Sequence, residues 1–177
     1  MKSIVIYKSK TGYTLQYAQW LAEEFRCEMV SLKNLKKVQL SEYDTVIYGG
    51  GIYATNISGF KTFLKTSGQL ANKTIAIFAV GAAAYSEEVL EGIRKKNMDG
   101  QNVNYPLFYA QGGFDPDKLG FFMRFMLSTV AKNIKKKSMK NPDALTKEDK
   151  AFLDFFQSTH IDMCKDNLAE LIAYVKK

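Results

Sequence analysis

The sequence predicts an α/β protein built on a doubly wound, five-stranded parallel sheet, and two observations lead to this prediction. Short apolar segments rich in β-branched residues alternate with segments whose apolar residues recur every three or four positions, as on one face of a helix. The strand segments are continuously apolar, which is typical of parallel strands that are buried on both faces. A chain of 177 residues, 46% of them hydrophobic, fits one domain, 1–177, with a sizeable core.

The elements can be predicted in chain order. The five predicted strands are 3–7, 28–32, 44–48, 73–80 and 104–110. Ser86, which precedes two glutamates, is predicted to cap the helix after the fourth strand. An apolar stripe over 161–175 predicts a C-terminal helix that has His160 near its start. Ligands of such folds bind beyond the carboxyl ends of the strands. The loops that fall there are 9–14, 49–58, 81–86 and 111–115.

Residues 114–158 interrupt this alternation, and we predict a helical insertion in the single domain. Residues 119–134 are rich in Phe and Met and are predicted to be helical, and Thr146 with Asp149 resembles a capping box. The part 114–140 has seven cationic and two acidic side chains, so it carries +5 of the net charge of +7. This concentration favours lipid headgroups, an acidic small molecule or an acidic protein as partner. No nucleic-acid partner is expected.

The composition disfavours several classes of protein. Cys27 and Cys164 form no CxxC pair and His160 is the one histidine, so we predict no disulfide and no metal site. No apolar run is long enough to cross a bilayer, and the apolar stretch at 4–7 is too short for a signal peptide. We therefore expect a cytoplasmic protein.

The segment between the first strand and the first helix is the most specific motif. It reads Ser9-Lys10-Thr11-Gly12-Tyr13-Thr14. Its place aims consecutive backbone N–H groups and the positive helix end at one point, which favours an anion. Three hydroxyls add donors, and Gly12 allows a tight turn. The patterns GxxxxGK[ST] and GxGxxG are absent, which disfavours a Walker loop and a nicotinamide dinucleotide. The alternative is a turn that only caps the helix.

The pattern [ST]-x-T-G-x-T resembles the FMN phosphate loop of the flavodoxin family, and every fixed position of 9–14 matches. The resemblance implies a flavodoxin-like sheet of order 2-1-3-4-5 and noncovalent FMN held by all six residues of the loop. The flavin would carry the redox chemistry, so no catalytic side chain is assigned.

Two further loops are expected to hold the flavin ring, because glycines and small residues let backbone approach it and aromatic residues can form its walls. The expected contacts are Gly50, Gly51, Ile52, Tyr53 and Ala54 in one loop, and Val80, Gly81, Ala82, Ala83 and Tyr85 in the other. Tyr53 is the first candidate for stacking and Tyr85 the second. The alternative for each tyrosine is ordinary surface packing.

A closer resemblance is to the flavodoxin-like menaquinone-dependent protoporphyrinogen IX dehydrogenases. It rests on TVIYGGGIYA at 45–54 and on the run from Phe108 through Gly112 into 121–126, whereas 143–158 and the last helix match poorly. The resemblance implies substrate or membrane contacts in the insertion. The candidate residues are Phe121, Phe122, Arg124, Phe125, Lys132 and Lys135. The alternative for 121–127 is an ordinary core-packing or dimer-forming helix.

Three hypotheses about function remain open. The first is an FMN-dependent oxidoreductase that oxidises an anionic, hydrophobic substrate such as protoporphyrinogen, passes electrons to a quinone and contacts the inner face of the membrane peripherally. The second is a soluble electron carrier for a partner redox protein. The third is a binding module of the same fold that holds no flavin.

Overall fold

The computed structural model describes residues 1–101, 103–140 and 145–177. Five side chains lie outside this description, those of Ser67, Phe122, Lys140, Glu148 and Gln157. The chain forms two compact units, one of Met1–Gly112 with Asp162–Lys177 and the other of Gly113–Ile161. The segment 114–158, which the sequence predicts to be an insertion, lies within the second unit.

The first unit contains a sheet of six strands. They are β1 (Ser3–Lys8), β2 (Glu28–Ser31), β3 (Thr45–Tyr53), β4 (Asn56–Ile57), β5 (Thr74–Gly81) and β6 (Leu107–Gln111). The order is β2-β1-β3-β5-β6 with every neighbouring pair parallel, and β4 is a short antiparallel partner of β3. Apart from β4, this is the predicted order 2-1-3-4-5, and the predicted fold class is confirmed.

The described residues form six α-helices. They are α1 (Tyr13–Phe25), α2 (Phe60–Leu64), α3 (Glu87–Met98), α4 (Phe121–Lys140), α5 (Lys147–Gln157) and α6 (Ala169–Val175). The Ser86 hydroxyl accepts a hydrogen bond from the Val89 N–H (3.2 Å), so the predicted cap of α3 is confirmed. The last helix is shorter than its apolar stripe predicts, because a 3₁₀ turn at Lys165–Leu168 precedes it.

The core of the first unit lies on both faces of the sheet. Ile4 of β1 packs in a cluster with Phe63 of α2, whereas its neighbour Val5 packs on the opposite face with Leu21 of α1 and Leu171 of α6. Successive strand residues point to opposite faces, and here both faces are covered by helices. This double burial explains why the strands are continuously apolar.

The glycines after the third predicted strand do not end it. The prediction of a loop at 49–58 is wrong, because β3 continues to Tyr53 and then turns back through β4. A Cβ atom at Gly49 would collide with the ring of Phe78, and one at Gly50 would lie 2.7 Å from the carbonyl oxygen of Ser58. Glycine therefore serves close packing inside the sheet and not a turn.

The second unit is built from α4, α5 and a two-stranded sheet of β7 (Gly113–Phe114) and β8 (His160–Ile161). Thr146 and Asp149 form the predicted capping box of α5. His160 lies in β8 and not near the start of a helix, and its ring stacks on Phe155 with centroids 5.3 Å apart. Among the described residues, no helix has the length and hydropathy of a membrane span.

Tyr17 joins three parts of the first unit through one buried hydroxyl. The hydroxyl donates to the carbonyl oxygen of Gln111 at the end of β6 and accepts from the Asn167 amide (2.7 Å) and the Cys164 N–H (3.4 Å). Burial raises the pKa of Tyr17, so the hydroxyl stays protonated and able to donate.

Replacing Tyr17 should therefore destabilise the first unit. We expect Tyr17→Phe to lower the free energy of unfolding by about 1–3 kcal/mol, because its three partners lose their shared hydroxyl. The matched control is Tyr174→Phe, since no hydrogen bond of the Tyr174 hydroxyl occurs in the described part of the chain. Urea denaturation of both variants measures the difference, and equal stabilities would contradict this role for Tyr17.

Candidate functional site

The carboxyl ends of four parallel strands meet at one edge of the sheet. Lys8 of β1 lies beside Gly50 of β3, and Gly81 of β5 lies beside Gln111 of β6. The predicted phosphate loop, the Tyr53 hairpin and the loop after β5 all leave this edge. In doubly wound folds this edge is the place where ligands bind.

The loop between β1 and α1 is shaped to receive an anion. The Ser9 hydroxyl accepts from the Gly12 N–H (3.1 Å), and the Gly12 carbonyl oxygen accepts from the Gln16 N–H (3.0 Å) to begin the helix. Gly12 has a φ of 94°, which favours glycine. No described side chain caps α1, and its first turn has no acidic residue. Backbone donors and the positive helix end therefore remain available to an anion.

A tight hairpin carries Tyr53 over this loop. Strands β3 and β4 pair Tyr53 with Asn56, so the hairpin turns at Ala54 and Thr55. The Lys10 ammonium lies 4.5 Å from the centroid of the Tyr53 ring. Burial raises the pKa of the Tyr53 hydroxyl, and a hydrogen bond with the Thr11 side chain partly offsets that effect. The hairpin is thus held against the predicted phosphate loop.

An apolar cleft opens on the other side of the hairpin. It has a volume of about 560 Å³, and Ile52 and Thr55 of the hairpin line it together with Ala82 and Tyr109. The Tyr109 hydroxyl donates to the carbonyl oxygen of Ala83, and burial raises the pKa of Tyr109 to about 12. Tyr109 therefore fastens the loop after β5 to β6. A flat aromatic ligand would find apolar side chains and exposed backbone in this cleft.

The side chain of Asn97 in α3 holds the hairpin through hydrogen bonds. Its Oδ1 accepts from the Ile57 N–H (2.8 Å), and its Nδ2 donates to the carbonyl oxygens of Thr55 (2.8 Å) and Ile93 (2.7 Å). The side chain is buried. One amide therefore satisfies an acceptor in the turn and a donor in the returning strand β4, and a carboxylate or an apolar side chain could not do both.

The hairpin needs such support because its turn is strained. Ala54 and Thr55 have φ values of 46° and 62°, so both lie in the left-handed region. A two-residue turn with positive φ at both positions matches the twist of a hairpin but is normally made by Asn or Gly. Each non-glycine residue there costs about 1–3 kcal/mol. The bonds from Asn97 offset part of this cost.

The sequence model of the flavodoxin domain family matches residues 4–141, which is well over half of the chain. The chain belongs to the flavodoxin domain family. Membership of this family supports FMN as the cofactor of the chain. No curated protein is similar enough to the chain to count as a match.

Solved structures of flavoproteins are also similar to the chain. The Trp repressor binding protein of Bacillus subtilis is 18% identical, with a TM-score of 0.49 over 63% of this chain and 85% of that one. A flavoprotein in complex with FMN from Lactobacillus acidophilus NCFM is 14% identical, with a TM-score of 0.44 over 62% and 91%. A flavodoxin from the domain Archaea is 17% identical, with a TM-score of 0.41 over 67% and 89%. The family assignment rests on the domain match and not on these structures.

The residues of this flavodoxin domain fit FMN at both ends of the cofactor. The loop at 9–14 offers backbone donors and the Ser9 hydroxyl to a phosphate, and the cleft offers apolar walls to a ring. FMN supplies the redox chemistry when bound, while the chain binds and orients it. The assignment of individual contacts to 9–14, 50–54 and 80–85 stays a prediction.

The surroundings of Tyr13 and Tyr85 limit how each of these predicted contact residues could bind FMN. Tyr13 is 7% exposed and packs its side chain in the core, so its contribution to phosphate binding would come from its backbone. Tyr85 is 52% exposed and donates to the Glu87 carboxylate, with its ring 6.1 Å from that of Tyr109. Tyr109 is among the residues that line the cleft, whereas Tyr85 is not.

The residues predicted to contact substrate or membrane all belong to α4 in the second unit. Phe121 is 90% exposed, and Phe125, Lys132 and Lys135 are exposed too. Arg124 pairs with Asp117 at 3.2 Å. The side chain of Phe122 lies outside the described residues.

Two residues of the site were missed by the sequence analysis. Tyr109 was assigned to the interior of a strand, and only the approach of the loop after β5 reveals its second role. Asn97 is separated from its hairpin partners by about forty residues, so no local pattern points to it. The one weak signal of this role in the sequence is that Asn97 is a polar residue between the apolar positions of a helix.

Asn97 should govern the affinity for FMN through the hairpin. In Asn97→Leu the N–H of Ile57 and the carbonyl of Thr55 lose their partner, which costs roughly 1–3 kcal/mol. We expect the Kd of FMN to rise about tenfold if about 1.4 kcal/mol of this cost is specific to the bound state. Quenching of flavin fluorescence on binding measures that Kd.

Two further variants distinguish an effect of Asn97 on the position of the hairpin from a general loss of protein stability. Met98→Ala removes a buried side chain next to Asn97 that makes no hydrogen bond to the hairpin, so it should lower stability and leave the Kd of FMN nearly unchanged. Thr55→Gly relieves the strain of the turn and should reduce the effect of Asn97→Leu in the double variant. Additive effects in that double variant would show that Asn97 does not act through the turn.

Proposed function

We propose that this flavodoxin domain is an FMN-dependent oxidoreductase whose substrate is hydrophobic and anionic. The observation that carries the proposal is the exposed face of α4. Its N-terminal half exposes Phe121 and Phe125, and its C-terminal half exposes Lys132 and Lys135.

Large exposed apolar side chains next to uncompensated cations are unusual on a protein surface. In the described part of the chain, neither Lys132 nor Lys135 makes an ion pair, whereas Lys137 pairs with Asp149 at 2.9 Å. A molecule with an apolar ring system and carboxylates would contact both halves of the face. Burial of one phenylalanine side chain is worth about 1.5–3 kcal/mol, so these residues would contribute strongly to binding.

Protoporphyrinogen IX is the substrate that we propose, since it is a bulky apolar macrocycle with two carboxylates. In each two-electron step the macrocycle loses two hydrogen atoms and is oxidised, and one quinone accepts both and is reduced to the quinol. Repetition of this step with further quinone completes the oxidation to the porphyrin. Quinones reside in the bilayer, and the same face of α4 suits peripheral contact with anionic lipid. The close sequence resemblance of 45–54 and 108–126 to the menaquinone-dependent dehydrogenases supports this choice.

A soluble electron carrier is the second candidate. The loop residues Ala83 and Tyr85 next to the ring cleft are exposed, which suits direct access of another redox protein to a bound flavin. The two candidates differ in one measurable respect: a carrier transfers electrons to a protein and has no need of a small-molecule substrate.

Turnover of the proposed substrate tests the choice. We expect the FMN-loaded protein to oxidise protoporphyrinogen anaerobically with menadione as acceptor, measured by the appearance of porphyrin fluorescence. Phe121→Ser with Phe125→Ser should lower kcat/KM about tenfold or more, because two apolar contacts are lost, and should leave the Kd of FMN unchanged.

Met139→Ser is the matched control, because Met139 is 86% exposed at the other end of the same helix. Its kcat/KM should equal that of the unmodified protein. Absence of turnover together with rapid electron transfer to a redox protein would favour the carrier. Protein that stays colourless after addition of FMN would contradict the cofactor assignment itself.

A further inference from the structure

Two neighbouring cavities lie in the first unit, and residues of the predicted phosphate loop line one of them. One cavity of about 560 Å³ is lined by Lys8 and Lys10, and a second of about 390 Å³ is lined by Lys36 and Lys65. The two cavities share Leu32, Lys33 and Thr62 in their walls, so they are neighbours on the surface. We call the two together the lysine groove.

The charge around the lysine groove has one sign. Five lysines line it, and Lys37 and Lys61 belong to the same 3₁₀ turn (Leu32–Lys37) and helix α2 that form its sides. The sequence has no Asp or Glu in 1–22, 29–41 or 45–86, which are the segments that surround the groove. Among the described residues, none of these lysines makes an ion pair.

The net charge of the chain does not reveal that lysines and acidic residues lie on different parts of the first unit. Outside 114–140 the chain is nearly balanced, since that segment carries +5 of the total of +7. The acidic residues of the first unit therefore lie elsewhere, among them Glu87 and Glu88 at the start of α3. A concave surface lined by one sign of charge focuses the electrostatic potential and attracts an oppositely charged partner.

The groove extends beyond what the FMN phosphate requires. Lys36 and Lys65 line the second cavity, whereas the residues of the phosphate loop line only the first. The floor of the second cavity is apolar and includes Leu35 and Leu40, whose side chains are buried in the core. The groove thus combines a cationic rim with an apolar floor, which is the anatomy of a protein–protein interface.

An acidic protein suits this surface better than a membrane does. Docking on lipid uses apolar side chains that protrude into the bilayer. The large apolar side chains that the described first unit exposes are Met1, Met29 and Tyr85, and none of them lines the groove. A protein segment instead brings carboxylates for the rim and apolar side chains for the floor.

We propose that the lysine groove docks an acidic amphipathic segment of a partner protein next to the cofactor. The docking site uses none of the residues of α4, and the proposal holds whether the flavodoxin domain is an oxidoreductase of a small molecule or an electron carrier. Lys8 lines the same cavity as Ser9, Lys10 and Gly12 of the predicted phosphate loop, so the partner would be placed near the flavin.

A synthetic peptide tests the proposal on the FMN-loaded protein. The probe is a labelled helical peptide with glutamates on one face and leucines on the other, and its binding is measured by fluorescence anisotropy at low and at physiological salt. We expect binding that weakens as salt rises. The same peptide with glutamines in place of glutamates should not bind.

Charge reversal locates the binding site. Lys33→Glu, Lys36→Glu and Lys65→Glu together should weaken peptide binding about tenfold or more. The matched control is Lys95→Glu, Lys96→Glu and Lys177→Glu, which changes the net charge equally at exposed lysines of the same unit and should alter binding by about twofold or less. Both triple variants should keep the Kd of FMN.

Four results would overturn the proposal. The first is that the peptide binds neither the unmodified protein nor the variants, and the second is that both triple variants weaken peptide binding equally, which indicates long-range attraction only. The third is that the groove variant loses FMN, which makes the groove part of the cofactor site. The fourth is that the groove variant loses binding to vesicles of anionic phosphatidylglycerol while peptide binding persists, which indicates a lipid surface.

Discussion

The close packing of β3 against β5 is the constraint on which the site depends. Strand β3 pairs with β1 on one side and with β5 on the other along most of its length. Gly49 leaves room for the ring of Phe78, and Gly50 leaves room for the return of β4. Larger residues would push β3 away from these neighbours. The strand would then end earlier, and the hairpin that carries Tyr53 would lose its position.

The hairpin shows how the fold prepares a binding site before a ligand arrives. Its turn is strained at Ala54 and Thr55, and a buried amide on another helix, that of Asn97, holds it in place. A loop that is already ordered loses little conformational entropy on binding, so more of the contact energy appears as affinity. The strain and its support therefore belong together, and α3 acts at the site without lining the phosphate loop.

Positive charge is distributed over two surfaces of different character. The face of α4 presents protruding aromatic side chains such as Phe121 next to lysines, and these features suit an apolar anion or a lipid surface. The lysine groove is concave, and its apolar residues form a floor beneath the cations. Net charge alone does not separate these cases, because the shape of the apolar surface decides which kind of anion fits.

The sequence by itself determined the order of elements, the sheet class and the strand–loop–helix motif at 9–14 that is predicted to bind phosphate, because apolar periodicity and such a motif are local properties. It also determined the caps at Ser86 and Thr146, whose partners lie three residues away. Only the tertiary structure decided that β3 runs through its glycines, that Asn97 supports the hairpin and that lysines from three separate segments line one groove. These features arise from contacts between residues that lie far apart in the chain, and no local pattern encodes such contacts.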